Sequence, residues 1–252
     1  MKLILPKNIY TSLFVNYFIN TDKNEINYKE SSLIAKELES NTSAVALIPT
    51  LDLINNRNLF VSSKAAVIMN GALCNSYIYF KEGEKEFERI YLRGDVTLNE
   101  VLLSRIIFSE LFSKEIEVVL DPSQTPDKEK DFIAAGNENF NLWDVEKGIS
   151  LAEEVSELID YPYVNFVFAS QDRDSIEEFN SLFTSINEKF GDSEIKIIDS
   201  LNLSFKAKSF LEDNINSLYF NLTEDEINAI KEMIKLIYYH GIIDDIFDIK
   251  FV

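Results

Sequence analysis

The chain has 252 residues, 46% apolar, 12% aromatic and 27% charged, enough apolar material for one large or two small domains, and it excludes disordered, collagen-like and low-complexity classes. Lys plus Arg number 24 against 43 Asp plus Glu, a net charge of −19, and a field of that sign repels nucleic-acid phosphates and anionic membrane surfaces. One cysteine, Cys74, and one histidine, His240, leave no internal disulfide and no soft-ligand zinc site, so neither a metal nor a nucleic acid is an expected partner.

The chain opens with Leu3-Ile4-Leu5, read as a strand, and Pro6 interrupts that apolar run before it reaches the length of a signal-peptide core. No later segment offers about 18 uncharged apolar residues, so no membrane is an expected partner and the expected address is the cytoplasm. Ser12 to Ile19 reads as a short helix, Asn27 to Lys29 as a brief strand, and Ser31 to Leu38 as a second helix. Ala44 to Ile48 is a continuous apolar run of the kind buried in parallel sheets, closed by Pro49-Thr50 and a helical turn over Leu51 to Ile54. Leu59 to Ser62, Ala65 to Met69 and Ser76 to Phe80 read as extended, with Asn70-Gly71 as a turn signal between the last two.

Lys81 to Glu86 is polar and reads as a crossing loop, ahead of a strand at Ile90 to Leu92. Thr97 and Glu100 form a capping box that opens a helix carrying Val101, Leu102, Ile106 and Leu111. Glu115 to Leu120 and Phe132 to Ala135 are strands, the latter running into a turn at Gly136-Asn137. Ser150 to Ile159 is helical, Tyr163 to Ala169 is an apolar strand, and Ser175 to Phe190 is an amphipathic helix. The remainder reads as helical, with a second capping box at Thr223 and Glu226 and a stop at Gly241.

Strands alternating with helices define an α/β class, and this order suggests two lobes. Residues 1–85 and 163–252 are expected to form the first and residues 86–162 the second, with a ligand cleft between them. Helix starts facing such a cleft suit a small carboxylate, because unpaired N–H groups and the helix dipole both favour negative charge. Neither GxGxxG nor a P-loop pattern is present, which excludes the common nucleotide-binding classes.

The order and wording of the segments resemble the futalosine-pathway menaquinone biosynthesis family, the chorismate dehydratases, with the cyclic dehypoxanthinylfutalosine synthases as more distant kin. The resemblance rests on Ala46 to Thr50, on Ala65 to Phe80, on the Thr97 helix and on Phe132 to Asn137. It continues through Tyr161 to Val164 and the final Leu222 to Ile243 helix, so it covers nearly the whole chain. It implies the two-lobed fold of the type 2 periplasmic-binding-protein class, a small carboxylate as ligand, and a carbon–oxygen lyase that needs no metal or organic cofactor. The chain departs from the family where Tyr10-Thr11-Ser12-Leu13-Phe14 replaces a first motif that carries Asn and Pro. Asp95 also stands ahead of the second-lobe helix, where its charge opposes a carboxylate.

Matching by position makes Thr11 and Ser12 the candidate catalytic residues. Tyr10, Thr50, Gly71, Asn75, Ser76, Thr97, Gly136 and Asn137 are the candidate substrate-binding residues. Several also have a structural reading: Tyr10 to Ser12 as an ordinary helix start, Thr50 after Pro49 as the start of a helix, Thr97 as a cap, and Gly136-Asn137 as a plain turn. Two functions follow, a chorismate dehydratase-like lyase and a binding or sensing paralogue that kept the cleft and lost the chemistry.

Overall fold

A computed structural model describes residues 1–252 apart from 20–22, 82, 84–87, 124, 128 and 184–192. The chain begins with β1 (Lys2–Pro6), α1 (Ile9–Phe18) and β2 (Glu25–Lys29). A 3-10 turn at Ser31–Leu33 then leads into α2 (Ile34–Glu37), followed by β3 (Val45–Pro49), a 3-10 turn at Thr50–Ile54, and β4 (Phe60–Met69). A second set follows: β5 (Ser76–Tyr79), β6 (Arg89–Gly94), α3 (Leu98–Phe112), β7 (Glu117–Leu120), β8 (Phe132–Ala135), α4 (Glu138–Leu142), β9 (Ile149–Ser150) and α5 (Leu151–Ile159). The chain returns through β10 (Tyr163–Ser170), α6 (Arg173–Ser181), α7 (Ser193–Ser200), α8 (Phe205–Asn214), β11 (Leu218–Asn221), α9 (Glu224–Tyr239) and β12 (Lys250–Phe251).

Among the described residues these strands form two sheets. The first has the order β11-β4-β10-β3-β1-β2, with β12 on β4, and the second has the order β7-β6-β8-β5-β9. β1, β2 and β3 run parallel, whereas β10 is antiparallel to both β3 and β4. All five residues of β3 and all eight of β10 are buried, the pattern of strands covered on both faces. Phe14 on α1, Phe168 on β10, Phe179 on α6 and Phe220 on β11 interlock with neighbouring ring centroids 4.5–5.2 Å apart. Each such buried ring stabilises the first lobe by about 1.5–3 kcal/mol.

Several expectations need correction. The first helix begins at Ile9 with Asn8 as its N-cap, three residues ahead of Ser12, so Tyr10 to Ser12 lie inside its first turn. Leu59 to Ser62 and Ala65 to Met69 merge into the single strand β4, whose pairing with β10 shifts register. Asn70-Gly71 does not close a hairpin, because β4 and β5 belong to different sheets. The chain crosses between Met69 and Ser76 instead of at Lys81 to Glu86, and Ser76–Tyr79, expected in the first lobe, pairs with β8 and β9 of the second. Within that loop residues 82 and 84–86 are outside the described residues, as is 184–190 of the helix expected over Ser175 to Phe190. The last third adds β11 and β12 to the first sheet, where helix alone was expected.

Candidate functional site

The two lobes meet where the start of α1 faces the β4–β5 crossing and the turn after β8. Asn8 is extended, and its Oδ1 accepts the N–H of Thr11 at 2.8 Å. The N–H of Ile9 is taken from across the seam by Oδ1 of Asn137 at 3.1 Å. Tyr10 is fully buried and its hydroxyl donates to the carbonyl of Cys74 at 2.5 Å. Burial pushes the Tyr10 phenol well above its ordinary value and the Cys74 thiol up to about 12, so both stay protonated at neutral pH.

On the facing side, the carbonyl of Asn75 accepts from the N–H of Gly136 at 2.8 Å and from Nδ2 of Asn139 at 3.0 Å. Ser76 donates its hydroxyl to Oε1 of Glu100 at 2.6 Å. The other oxygen of Glu100 accepts the N–H and hydroxyl of Thr97, and Thr97 Oγ1 accepts the N–H of Asn99, which completes the cap of α3. Asn99 then reaches the first lobe: its Oδ1 accepts the N–H of Leu51 at 2.9 Å, and its Nδ2 donates to the carbonyl and Oδ1 of Asn165. Asp95 makes another bridge, accepting from the N–H of Ser31 at 3.0 Å and from the Ser31 hydroxyl. Gly136 has φ +73°, and a Cβ there would press on Asp95 Cβ at 3.0 Å, so this turn requires glycine both for its backbone and for the close approach.

Besides Nδ2 of Asn165 next to Asn99, four buried polar atoms around this joint have no partner: Nδ2 and Oδ1 of Asn75, Oγ1 of Thr11 and Nδ2 of Asn8. Their residues are 1%, 0% and 4% exposed respectively. Buried polar groups in native folds are nearly all hydrogen-bonded, so a cluster of exceptions marks a place where a ligand group can complete the bonding.

The structure brings Tyr10, Thr11, Asn75, Ser76, Gly136 and Asn137 to one joint through these bonds, with Thr97 joined to it by Glu100. The other candidates are committed elsewhere. Ser12 turns its hydroxyl back to the carbonyl of Asn8 at 3.1 Å. Thr50 donates to the carbonyl of Val164 at 2.6 Å, although its neighbour Leu51 lies on the seam. Gly71, within the β4–β5 crossing, faces Ser217, and its carbonyl accepts from Ser150 at 3.2 Å. The sequence reading omitted Asn8, readable as a cap three residues ahead of Thr11, and Asn99, whose inward turn leaves no local signal.

Arg93 is 4% exposed and is held by Asp121 at 3.0 Å, by Glu138 and by the carbonyl of Ser123. Burial, reinforced by the charge of Glu100, pushes the Asp52 carboxyl up to about 7. Among the described residues no group of three or more His, Cys, Asp or Glu is placed to hold a metal ion. No described helix is long and apolar enough to cross a membrane.

Two α/β lobes, each with its own sheet and joined by paired crossings, define the type 2 periplasmic-binding-protein-like fold. Solved structures share it. Protein AF1704 from Archaeoglobus fulgidus superposes with a TM-score of 0.65 at 14% identity, over 96% of this chain and 98% of that one. The zinc-bound ligand-binding component of an ABC-type import system from Staphylococcus aureus gives 0.57 at 9% identity, over 97% and 92%. The periplasmic aliphatic sulphonate-binding protein SsuA from Escherichia coli gives 0.52 at 9% identity, over 99% and 90%. No protein-family model matches the sequence, and no curated protein matches it.

Proposed function

We propose that the protein binds a small polar molecule in the seam between its lobes. The observation that carries this reading is the set of buried, unpartnered atoms on Asn75, Thr11 and Asn8. A ligand satisfies them at little cost in desolvation, because they are already withdrawn from water. Small-molecule binding also agrees with the sulphonate-binding role of the E. coli protein that shares the fold. The seam's bridges, Asp95 to Ser31 and Asn137 to Ile9, hold the lobes together, so ligand entry requires them to part.

Dehydration of chorismate is the second reading. It is favoured by the convergence of Tyr10, Thr11, Asn75, Ser76, Gly136 and Asn137, drawn from segments that carry the family resemblance. Loss of water there forms an aromatic ring, so orientation of the substrate and support for the departing hydroxyl suffice. Thr11 is the hydroxyl available for that support, since Ser12 is bonded within its helix. Asp95 and Glu100 stand against a dianionic substrate.

Incubating the purified protein with chorismate, and following both binding heat and the aromatic enolpyruvyl product, separates the readings. Turnover establishes the lyase. Saturable binding without product supports the binding protein.

A further inference from the structure

The unpartnered groups of the seam share one chemistry. Asn75 offers amide N–H donors and an amide acceptor, Asn8 offers further amide hydrogens, and Thr11 offers a hydroxyl. None of them carries charge. Arg93 is the one Lys or Arg among the buried described residues, and Asp121, Glu138 and the Ser123 carbonyl already occupy its guanidinium.

Negative charge, by contrast, is built in. Glu100 touches Ser76, the residue after Asn75, and Asp95 sits beside Gly136, whose N–H is bonded to Asn75. The helix starts that attract anions in such folds are also filled from within. Asn137 takes the Ile9 N–H, Asn8 takes the Thr11 N–H, Thr97 takes the Asn99 N–H of α3, and Glu100 takes the N–H of the capping Thr97 itself. A carboxylate entering here would be buried without a cation and close to two other carboxylates, which is far less favourable than burying a neutral amide whose hydrogen bonds are all made.

On the reading that the seam binds a small molecule, we infer that its ligand is an uncharged carboxamide or lactam. A carbonyl oxygen beside an N–H pairs with the side-chain amide of Asn75 through two parallel hydrogen bonds: Nδ2 donates to the ligand carbonyl and Oδ1 accepts the ligand N–H. Thr11 and Asn8 bond the remaining polar groups. The seam thus selects against anions by keeping two carboxylates, Glu100 on Ser76 and Asp95 beside Gly136, next to the residues that flank or bond Asn75, in the way repulsive elements set specificity elsewhere.

The test uses matched probes that differ only in charge, nicotinamide against nicotinate and benzamide against benzoate, with 2-pyridone as a lactam. They are titrated calorimetrically into the intact protein at pH 7.5. Each amide is expected to bind at least tenfold more tightly than its carboxylate. Asn75→Asp, which exchanges amide donors for a charge, is expected to weaken amide binding at least tenfold, whereas Glu100→Gln is expected to strengthen carboxylate binding and so narrow the amide-to-carboxylate ratio at least threefold. If Asn75→Asp fails to fold by circular dichroism, the Glu100→Gln comparison still decides the charge argument. A carboxylate that binds as tightly as its amide, or chorismate binding where every amide fails, overturns the inference and leaves the seam as a binding site. Failure of amides, carboxylates and chorismate alike overturns both the inference and the binding reading.

Discussion

Tyr79, Leu142 and Trp143 line an open cavity of about 460 Å3 in the second lobe, together with Lys81, Lys130 and Lys147. It contrasts with the seam in nearly every physical respect. In the cavity wall, the rings of Tyr79 and Trp143 stack at 4.6 Å and their polar tips are satisfied, the Tyr79 hydroxyl by Asn139 and the Trp143 N–H by Glu138. Its Asp144 is paired with Lys206 at 2.6 Å, and Lys130 lies 4.5 Å from the ring of Tyr91. The seam, by contrast, keeps five buried polar atoms without partners, two on Asn75 and one each on Thr11, Asn8 and Asn165. Volume marks where something fits, whereas unfinished hydrogen bonding in a buried place marks where something is needed, so the seam is the stronger functional candidate.

The sharpest way to break this comparison is at Glu138, the residue after Asn137 of the seam and the partner of Trp143 in the cavity wall. Glu138 serves the Trp143 N–H on one side and Arg93 on the other. Arg93→Met leaves the half-buried carboxylates of Asp121 and Glu138 without their cation, and chemical denaturation is expected to show a loss of about 1–3 kcal/mol. The same variant changes the acid limb. Burial works against the charged form of Asp121, yet the Ser123 hydroxyl and N–H, with Arg93, hold its carboxyl below the ordinary 3.8. A depressed folded-state value gives stability above about pH 4 that is lost as pH falls through it, and part of that loss is expected to disappear in the variant.

Asp52 supplies the next effect on the first-lobe side of the seam. Its carboxyl is raised from 3.8 to about 7 by burial and then by Glu100. The folded state therefore binds the proton more tightly than the unfolded chain, and stability falls as pH rises from about 4 to about 7. Asp52→Asn is expected to flatten that decline and to gain on the order of 2 kcal/mol at pH 8, a figure already discounted for partial exposure. Thermal unfolding across pH 4–8 measures it. A variant that tracks the native protein at every pH would remove the seam's acidic character as an energetic factor.

Thr97→Ala sharpens the distinction between cap and ligand contact. Thr97's hydroxyl is committed to Glu100 and Asn99, so the expected cost is the loss of a helix cap, about 0.5–2 kcal/mol of stability. Ligand affinity should be unchanged, as read by calorimetry. Smallest is Lys147→Ala in the cavity wall, expected to change stability by less than about 0.5 kcal/mol. It should leave seam binding untouched; a loss of ligand affinity there would move the site to the cavity.

The strongly apolar runs were legible in the sequence because burial on both faces leaves a continuous signature. Val45–Pro49 and Tyr163–Ser170 fall where that signature predicts strands, and both capping boxes open helices as their spacing requires. The short strands Leu218–Asn221 and Lys250–Phe251 were not legible, since each exists only through pairing with β4, a contact distant in sequence. The same reason misplaced the crossing: Asn70-Gly71 carries the composition of a hairpin turn, and only the tertiary pairing of Ser76–Tyr79 with β8 shows that the chain changes sheet there. At the site, Thr11, Asn75, Gly136 and Asn137 were candidates by their place in the segments that carry the family resemblance. Which polar groups are spent and which are left over depends on bonds such as Ile9 to Asn137 across 128 residues, and no local pattern encodes these.

The most direct test of the seam as the site is the side-chain amide resonance of Asn75 in a spectrum of the isotopically labelled protein, recorded while nicotinamide and then chorismate are added. Asn139, whose Nδ2 already donates to the carbonyls of Asn75, Ala134 and Gly136, serves as an internal reference. A ligand bound at the seam is expected to shift the Asn75 and Asn8 amide signals in a saturable way, with the Asn139 amide and the Trp143 indole nearly still. Saturable shifts confined to Trp143 and its neighbours, with Asn75 and Asn8 unmoved, would contradict it.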